Sequence, residues 1–261
     1  MLEGTGGLAG DLRKAVLTSG KHRVTLPVSA YLIEHPKGLF LVDTGWSREI
    51  SPGGVYDRKA VEKVLPAHIA ALYHPYVPYG MTVTERLAEM GIKPEDLEAV
   101  LITHFDADHV SGLRSVSGAR RIIVPEDEAY WSVRTKYTMR QVRDLWESVR
   151  YERLFFRGSP LGPMHKAVDV LGDGSLMMVS LPGHTDGQVG IMVRSGSKYA
   201  LIAADAAYSR KNWEDMTATG FSADAELQKK TLRWIAETAS DLECVCVLCS
   251  HEGEDGRVIE V

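Results

Sequence analysis

Thr103-His104-Phe105-Asp106-Ala107-Asp108-His109-Val110-Ser111-Gly112 follows directly on the apolar run Ala99-Val100-Leu101-Ile102. The run reads as a short buried strand. Its continuation sets two histidines and two aspartates within six residues, at the end of an element that has no use for them. Burying such groups unpaired costs several kcal/mol each. Divalent metal ions take imidazole and carboxylate together, so a metal site accounts for the whole set. The alternative that these residues allow is a polar loop capping the next helix.

Three later strand ends carry the same signal. An apolar strand over 175–181 ends in Pro182-Gly183-His184-Thr185, one over 199–204 ends in Asp205-Ala206-Ala207-Tyr208, and one over 245–248 ends in Ser250-His251. A single histidine after a strand is ordinarily a satisfied polar residue. With the central stretch, however, the chain sets four histidines and three aspartates just beyond apolar strands. The other five histidines, His22, His35, His68, His74 and His165, fall outside this pattern and read as surface residues.

Composition bounds the function classes. The 261 residues suffice for one large domain, and 44% hydrophobic with 25% charged residues is an ordinary globular balance. No apolar run is long enough to cross a bilayer, so no membrane partner is expected. The first residues lack the basic flank and apolar core of a signal peptide. A net charge of −5 argues against a nucleic-acid partner. The three cysteines, Cys244, Cys246 and Cys249, alternate in one apolar run and read as small core residues on a strand. No second cluster would pair with them in a thiolate zinc site. The expected location is a reducing, cytoplasmic compartment.

The remaining pattern gives coarse elements. Residues 24–45 read as a hairpin, with strands over 28–33 and 39–42 joined through His35-Pro36-Lys37-Gly38. A helical stretch over 58–65 meets Pro66. Tyr73-His74-Pro75-Tyr76-Val77-Pro78-Tyr79 reads as a fixed loop, either walling a pocket or packed on the surface. Thr82 and Glu85 form a capping box for a helix that Gly91 ends. Residues 121–124 read as a strand, and 126–157 as helical and unusually aromatic, with Tyr130, Trp131, Tyr137, Met139, Trp146, Phe155 and Phe156. Those rings fit core packing, an apolar groove or a subunit contact. Strands over 189–193 and 199–204 form a hairpin around Ser195-Gly196-Ser197, and residues 227–238 carry a helical pattern.

The order His104-x-Asp106-x-Asp108-His109, then Gly183-His184-Thr185, then Asp205, then His251 resembles the metallo-β-lactamase fold family, whose usual signature is His-x-His-x-Asp-His. Two departures stand out. Asp106 replaces the second histidine, and Gln188 stands where Gly-His-Thr-x-Gly-His has its last one. The resemblance implies an α/β fold, the four-layer αβ/βα sandwich of two sheets with helices outside, as one domain over 1–261. It implies two divalent ions, zinc foremost, with manganese or iron better placed to compete because Asp106 is a harder ligand than imidazole. His104, Asp106 and His184 would hold one ion, Asp108, His109 and His251 the other, and Asp205 would bridge them. Asp43, in Leu41-Val42-Asp43-Thr44-Gly45, would support the metal loop from behind, although an Asp-Gly turn explains it equally.

Two further segments narrow the resemblance. Leu26-Pro27-Val28-Ser29-Ala30-Tyr31-Leu32-Ile33 with the turn after it, and Asp205-Ala206-Ala207-Tyr208 continuing through Asn212-Trp213-Glu214-Asp215 to Gly220-Phe221, look like segments of the N-acyl homoserine lactonases. This implies a dinuclear hydrolase opening a small-molecule lactone, with Asp108 passing a proton to the leaving alkoxide and Tyr208 stabilising the oxyanion. Tyr208 also fits a core tyrosine at a helix start. Other ester or phosphodiester hydrolysis remains an alternative. So does a di-iron redox protein, because flavodiiron proteins carry a carboxylate at the position of Asp106. No Gly-x-Ser-x-Gly nucleophile elbow is present.

Overall fold

A computed structural model describes residues 25–71, 74–132, 138–252 and 258–261. The leading segment with His22, and the residues Tyr73 and Tyr137, lie outside that set, as do the side chains of His68, Trp131 and Met139. The chain divides into two compact units, the first built from residues 30–124 and 129–153 and the second from 125–128 and the chain from 154 onward, with residues 25–29. Each carries one mixed sheet, so the α/β content matches the expectation.

In the first unit the strands follow the order β1 (Tyr31–His35), β2 (Gly38–Val42), β3 (Leu97–Leu101), β4 (Ile122–Pro125) and β5 (Glu152–Leu154). β1 and β2 are antiparallel, with Tyr31 opposite Val42 and His35 opposite Gly38. β2, β3 and β4 run parallel. Parallel strands buried on both faces must be apolar throughout, and Phe40, Leu41, Val42, Val100, Leu101 and Ile123 are all buried. Each such side chain contributes about 1.5–3 kcal/mol. The strand expected over 28–33 starts only at Tyr31, because the chain before it pairs elsewhere: the Ser29 N–H donates to Ser250 O at 2.9 Å.

The capping box is present. Thr82 Oγ1 accepts from Glu85 N–H, and Glu85 Oε2 accepts from Thr82 N–H at 3.0 Å, opening the helix Val83–Glu89. The same carboxylate takes a fork from Arg48, with Nη2 to Oε2 at 2.6 Å, which holds the Glu85 carboxyl down at about 2. Arg48 also donates to Val77 O and Pro78 O and lies over the Tyr79 ring at 5.0 Å. The tyrosine- and proline-rich loop is thus packed down by one arginine.

The reading of 126–157 as helical is corrected. Among the described residues of this stretch only Glu126–Ser132 is α-helical; Thr138–Leu145 is 3-10, and then come β5 and the two-residue strand β6 (Arg157–Gly158). Arg121 pins β5 through Glu152, with Nη2 to Oε2 at 2.9 Å, and Trp146 leaves the helical pattern to stack on Phe105 at 4.2 Å, rings 3° apart. Trp146 is core, whereas Phe155 and Tyr130 are exposed.

The second unit orders its strands β11 (Cys244–Cys249), β10 (Lys198–Ala204), β9 (Val189–Ser195), β8 (Leu176–Ser180), β7 (Lys166–Asp169) and β6. β7, β8, β9 and β10 form an antiparallel run, and β11 adds in parallel to β10. Gly196, at φ +60, makes the β9–β10 turn. Asp224 caps the helix Ala225–Ala239, which packs Leu232 and Ile235 against Leu181, Met192 and Leu201. None of the three cysteines is in a disulfide; Cys249 is buried, while Cys244 and Cys246 are half-buried on the edge strand. No described helix is long and apolar enough to cross a membrane.

Candidate functional site

The first unit places His104, Asp106, Asp108 and His109 just past the end of β3, as the sequence implies. Asp106 occupies the N-cap of the short helix Ala107–Val110, which turns His109 back beside His104 with ring centroids 4.0 Å apart. Both imidazoles are fully buried. The support comes from Asp43, at the end of the neighbouring strand β2. Its Oδ1 accepts from Thr103 N–H at 2.8 Å, and its Oδ2 accepts from Thr103 Oγ1 at 2.7 Å and from His109 Nδ1 at 2.8 Å. The one hydroxyl proton of Thr103 is thus donated in the bond to Asp43 Oδ2, and the hydroxyl oxygen accepts from His104 Nδ1 at 3.0 Å.

Asp43 is left-handed at φ +56, a conformation that Asp and Asn tolerate best after Gly. The bend carries Thr44 against the loop that holds His104 and His109. Thr44 N–H and Oγ1 both donate to His109 O, at 2.9 and 2.7 Å. Gly112 is required there, since a Cβ on it would stand 2.4 Å from Thr44 O. Asp43 is thus more than an Asp-Gly turn: the segment it begins holds the loop by main chain and side chain alike.

The second unit places His184, Asp205 and His251 at three strand ends, and brings them together. The Asp205 Oδ2 oxygen lies 3.6 Å from His184 Nε2 and 3.1 Å from His251 Nε2. His251 donates its Nδ1 proton to Pro27 O at 2.7 Å, and His184 Nδ1 meets Thr219 Oγ1 at 3.2 Å. Tyr208 is buried with its ring edge-on to both histidines, at 4.6 Å from His251 and 5.8 Å from His184. Asn212 fixes the start of that segment, since its Oδ1 accepts from Tyr208 and Ser209 N–H, both at 3.1 Å.

One arrangement repeats in both units. Every one of the four histidines has Nδ1 engaged by an oxygen and Nε2 turned to a carboxylate: His104 to Asp106 at 3.7 Å, His109 to Asp108 at 3.9 Å, and His184 and His251 to Asp205. With the proton on Nδ1, Nε2 presents its lone pair. His104, His109 and His184 hold Nε2 3.6–3.9 Å from their carboxylates, beyond hydrogen-bond reach, while His251 Nε2 meets Asp205 Oδ2 at 3.1 Å; imidazole lone pairs gathered beside carboxylates are the donor set of a divalent cation. The residues therefore fit the metal that the sequence implies. The reading as a helix-capping loop fails to explain why Asp106, at the cap position, makes no side-chain cap bond.

The remaining expectations resolve unevenly. His35 accepts from Lys37 N–H in its own turn, and His165 is exposed, as surface residues would be. Sequence reasoning passed over Thr219 and Gln228 and gave no separate role to Thr103 and Asn212; all four are buried and hydrogen-bonded to the candidate ligands or to the segments carrying them.

A model of the metallo-beta-lactamase superfamily matches residues 23–238. The N-acyl homoserine lactonase AttM of Rhizobium radiobacter is 27% identical over 228 residues, which cover 81% of this chain and 78% of that protein. Among solved structures, an N-acyl homoserine lactone hydrolase with its product N-hexanoyl-L-homoserine at the catalytic metal centre aligns with TM-score 0.69 and 20% identity, over 88% of this chain and 82% of that one. The dizinc quorum-quenching lactonase AidC aligns with TM-score 0.63 and 12% identity, over 88% of this chain and 74% of that one. At these identities the two structures speak to the fold.

Proposed function

Starting from the fact that this chain belongs to the metallo-beta-lactamase superfamily, we propose that it is a dinuclear metal-dependent hydrolase that opens the ring of N-acyl homoserine lactones. The observation that carries the metal chemistry is the repeated Nδ1-tied, Nε2-to-carboxylate setting of the four histidines. The substrate class is supported by the AttM likeness over 81% of the chain and by the Asp205–Tyr208 segment. The proposed ligands are His104, Asp106 and His184 for one ion, Asp108, His109 and His251 for the other, and Asp205 for both. Zinc is the first candidate, with manganese or iron favoured more than usual by Asp106.

Bound divalent ions would supply a water acidified towards neutrality and a Lewis acid for the lactone carbonyl. The chain's own residues do the rest. Asp43 and Thr103 keep the protons of His109 and His104 on Nδ1, so that neither ring turns an N–H towards the site. Asp108 takes up the proton released on attack and delivers it to the alkoxide oxygen as the ring C–O bond breaks. The Tyr208 hydroxyl donates a hydrogen bond to the carbonyl oxygen as it gains negative charge. Ring opening yields a carboxylic acid that ionises at neutral pH, so base uptake at constant pH reports turnover. Protein stripped by chelator should take up no base with N-hexanoyl homoserine lactone, and readdition of zinc or manganese should start uptake. Equal uptake by stripped and reloaded protein rejects the metal-dependent reading.

A further inference from the structure

Two buried glutamines converge on the turn that carries Asp205. Ala204, the residue before it, is left-handed at φ +49, a setting that costs a non-glycine residue about 1 kcal/mol and must be held by its surroundings. Gln188 and Gln228 are both fully buried. The Gln188 amide lies against the turn, and in the orientation that pairs its oxygen with donors, Oε1 accepts from Asp205 N–H at 3.2 Å and from Ala206 N–H. Gln228, on the helix Ala225–Ala239, donates from Nε2 to Ala206 O at 3.0 Å and, more weakly, to Asp205 O at 3.4 Å. One amide thus takes the N–H groups of the turn and the other its carbonyls.

The other side of Gln228 reaches His184. Its Oε1 accepts from Thr219 N–H at 3.1 Å and from Thr219 Oγ1 at 3.2 Å, and its Nε2 donates to Thr219 Oγ1 at 2.9 Å. A hydroxyl has one proton and two lone pairs. The Thr219 proton goes to Gln228 Oε1, and one lone pair takes Gln228 Nε2–H. With the Thr219 proton so placed, the other accepts from His184 Nδ1 at 3.2 Å, which sets the His184 proton on Nδ1. The His184 backbone is pressed on the same spot: Gly183 is at φ +134, and a Cβ there would stand 2.3 Å from Gln228 Cα. Every side-chain hydrogen bond of Gln228 given above ends on Thr219 or on the Asp205–Ala206 turn.

We propose that Gln228 is a positioning residue for both metal-ligating elements of the second unit, setting the His184 tautomer through Thr219 and, with Gln188, fixing the Asp205 turn. The proposal rests on the reading of His184 and Asp205 as ligands. Where the family pattern has a histidine, this chain uses the Gln188 amide to hold the backbone of the bridging aspartate.

The test reads the metal-free protein and its zinc affinity separately. In the metal-free wild type at mildly alkaline pH, ring-nitrogen NMR should show His184 protonated on Nδ1. Thr219→Val removes the hydroxyl at constant shape and should populate the Nε2–H tautomer and weaken zinc binding about tenfold by chelator competition, while Thr219→Ser restores both. Gln228→Met should weaken zinc about 10- to 100-fold, and both it and Gln188→Met should speed amide exchange at Asp205 and Ala206. If Gln228→Met does not fold, the Thr219 pair decides alone. A Thr219→Val protein with His184 still protonated on Nδ1 and undiminished zinc affinity overturns the proposal. A wild type that binds no zinc would sink the ligand reading instead, and the tautomer shift would then still uphold the relay from Gln228 to His184.

Discussion

Replacing Asp43 by Asn perturbs the first unit at one atom. The carboxylate accepts three hydrogen bonds, from Thr103 N–H, Thr103 Oγ1–H and His109 Nδ1–H. Asn tolerates the φ of +56 as well as Asp does, so the backbone adds no cost of its own. The amide has one oxygen only. If that oxygen faces Thr103 N–H, the NH2 group faces Thr103 Oγ1 and His109 Nδ1, and His109 must move its proton to Nε2. If the oxygen faces His109, the NH2 group opposes the Thr103 N–H in a buried place. Either way one or two bonds to a charged acceptor are lost, each with a net value of about 1.5–3 kcal/mol. The metal-free Asp43→Asn protein should therefore lose about 2–4 kcal/mol in urea unfolding. Its zinc affinity should fall about 10- to 100-fold, the usual result of removing the partner behind a ligating histidine. Chelator competition and denaturation on the same preparations give both numbers. Unchanged zinc affinity, with His109 still protonated on Nδ1, would refute the claim that Asp43 orients this ligand.

Tyr208→Phe should leave metal content intact and slow lactone opening about ten- to a thousandfold, as loss of one oxyanion donor does, and full activity in a metal-loaded variant would remove Tyr208 from the mechanism. Asp106→His exchanges a hard anionic ligand for imidazole, so zinc should gain on manganese in a direct competition with the apoprotein; a shift towards manganese would mean that Asp106 does not ligate. Because Arg48 lowers the Glu85 carboxyl to about 2, its contribution to stability is complete above the ordinary value of 4.5 and lost as the pH falls from there to about 2. Glu85→Gln should flatten the melting temperature across that window, and an unchanged acid slope would show that the ion pair is not linked to folding.

The candidate ligands were legible because strand ends are easy to find and ionisable residues there are hard to explain otherwise. The capping box at Thr82 and the β9–β10 hairpin were legible because their signals are local. What escaped was what depends on distant partners. Residues 126–157 carry aromatic and charged side chains with no clean period, and their path is set by Phe105 stacking on Trp146 and by Arg121 reaching Glu152. Thr219 acquires its role from Gln228 and His184, which no spacing announces. One clue was available for Gln228: it lies on the same helix stripe as Thr231, Ile235 and Thr238, all buried, and a glutamine on a buried stripe calls for partners. Gln188 was visible as a departure from the family pattern, but its place against the Asp205 turn comes from the folding of distant strands together.

On the proposed reading, seven side chains from four strand ends would hold the two ions that the hydrolysis needs. The direct measurement is a metal titration of the apoprotein, with lactone opening followed in the same samples by base uptake at constant pH. Activity should rise with added zinc or manganese and reach its plateau at two ions per chain, and Asp205→Ala should lose both ions and the activity together. A chain that reaches its plateau at one ion, or that stays inactive on N-acyl homoserine lactones with two ions bound, contradicts that reading.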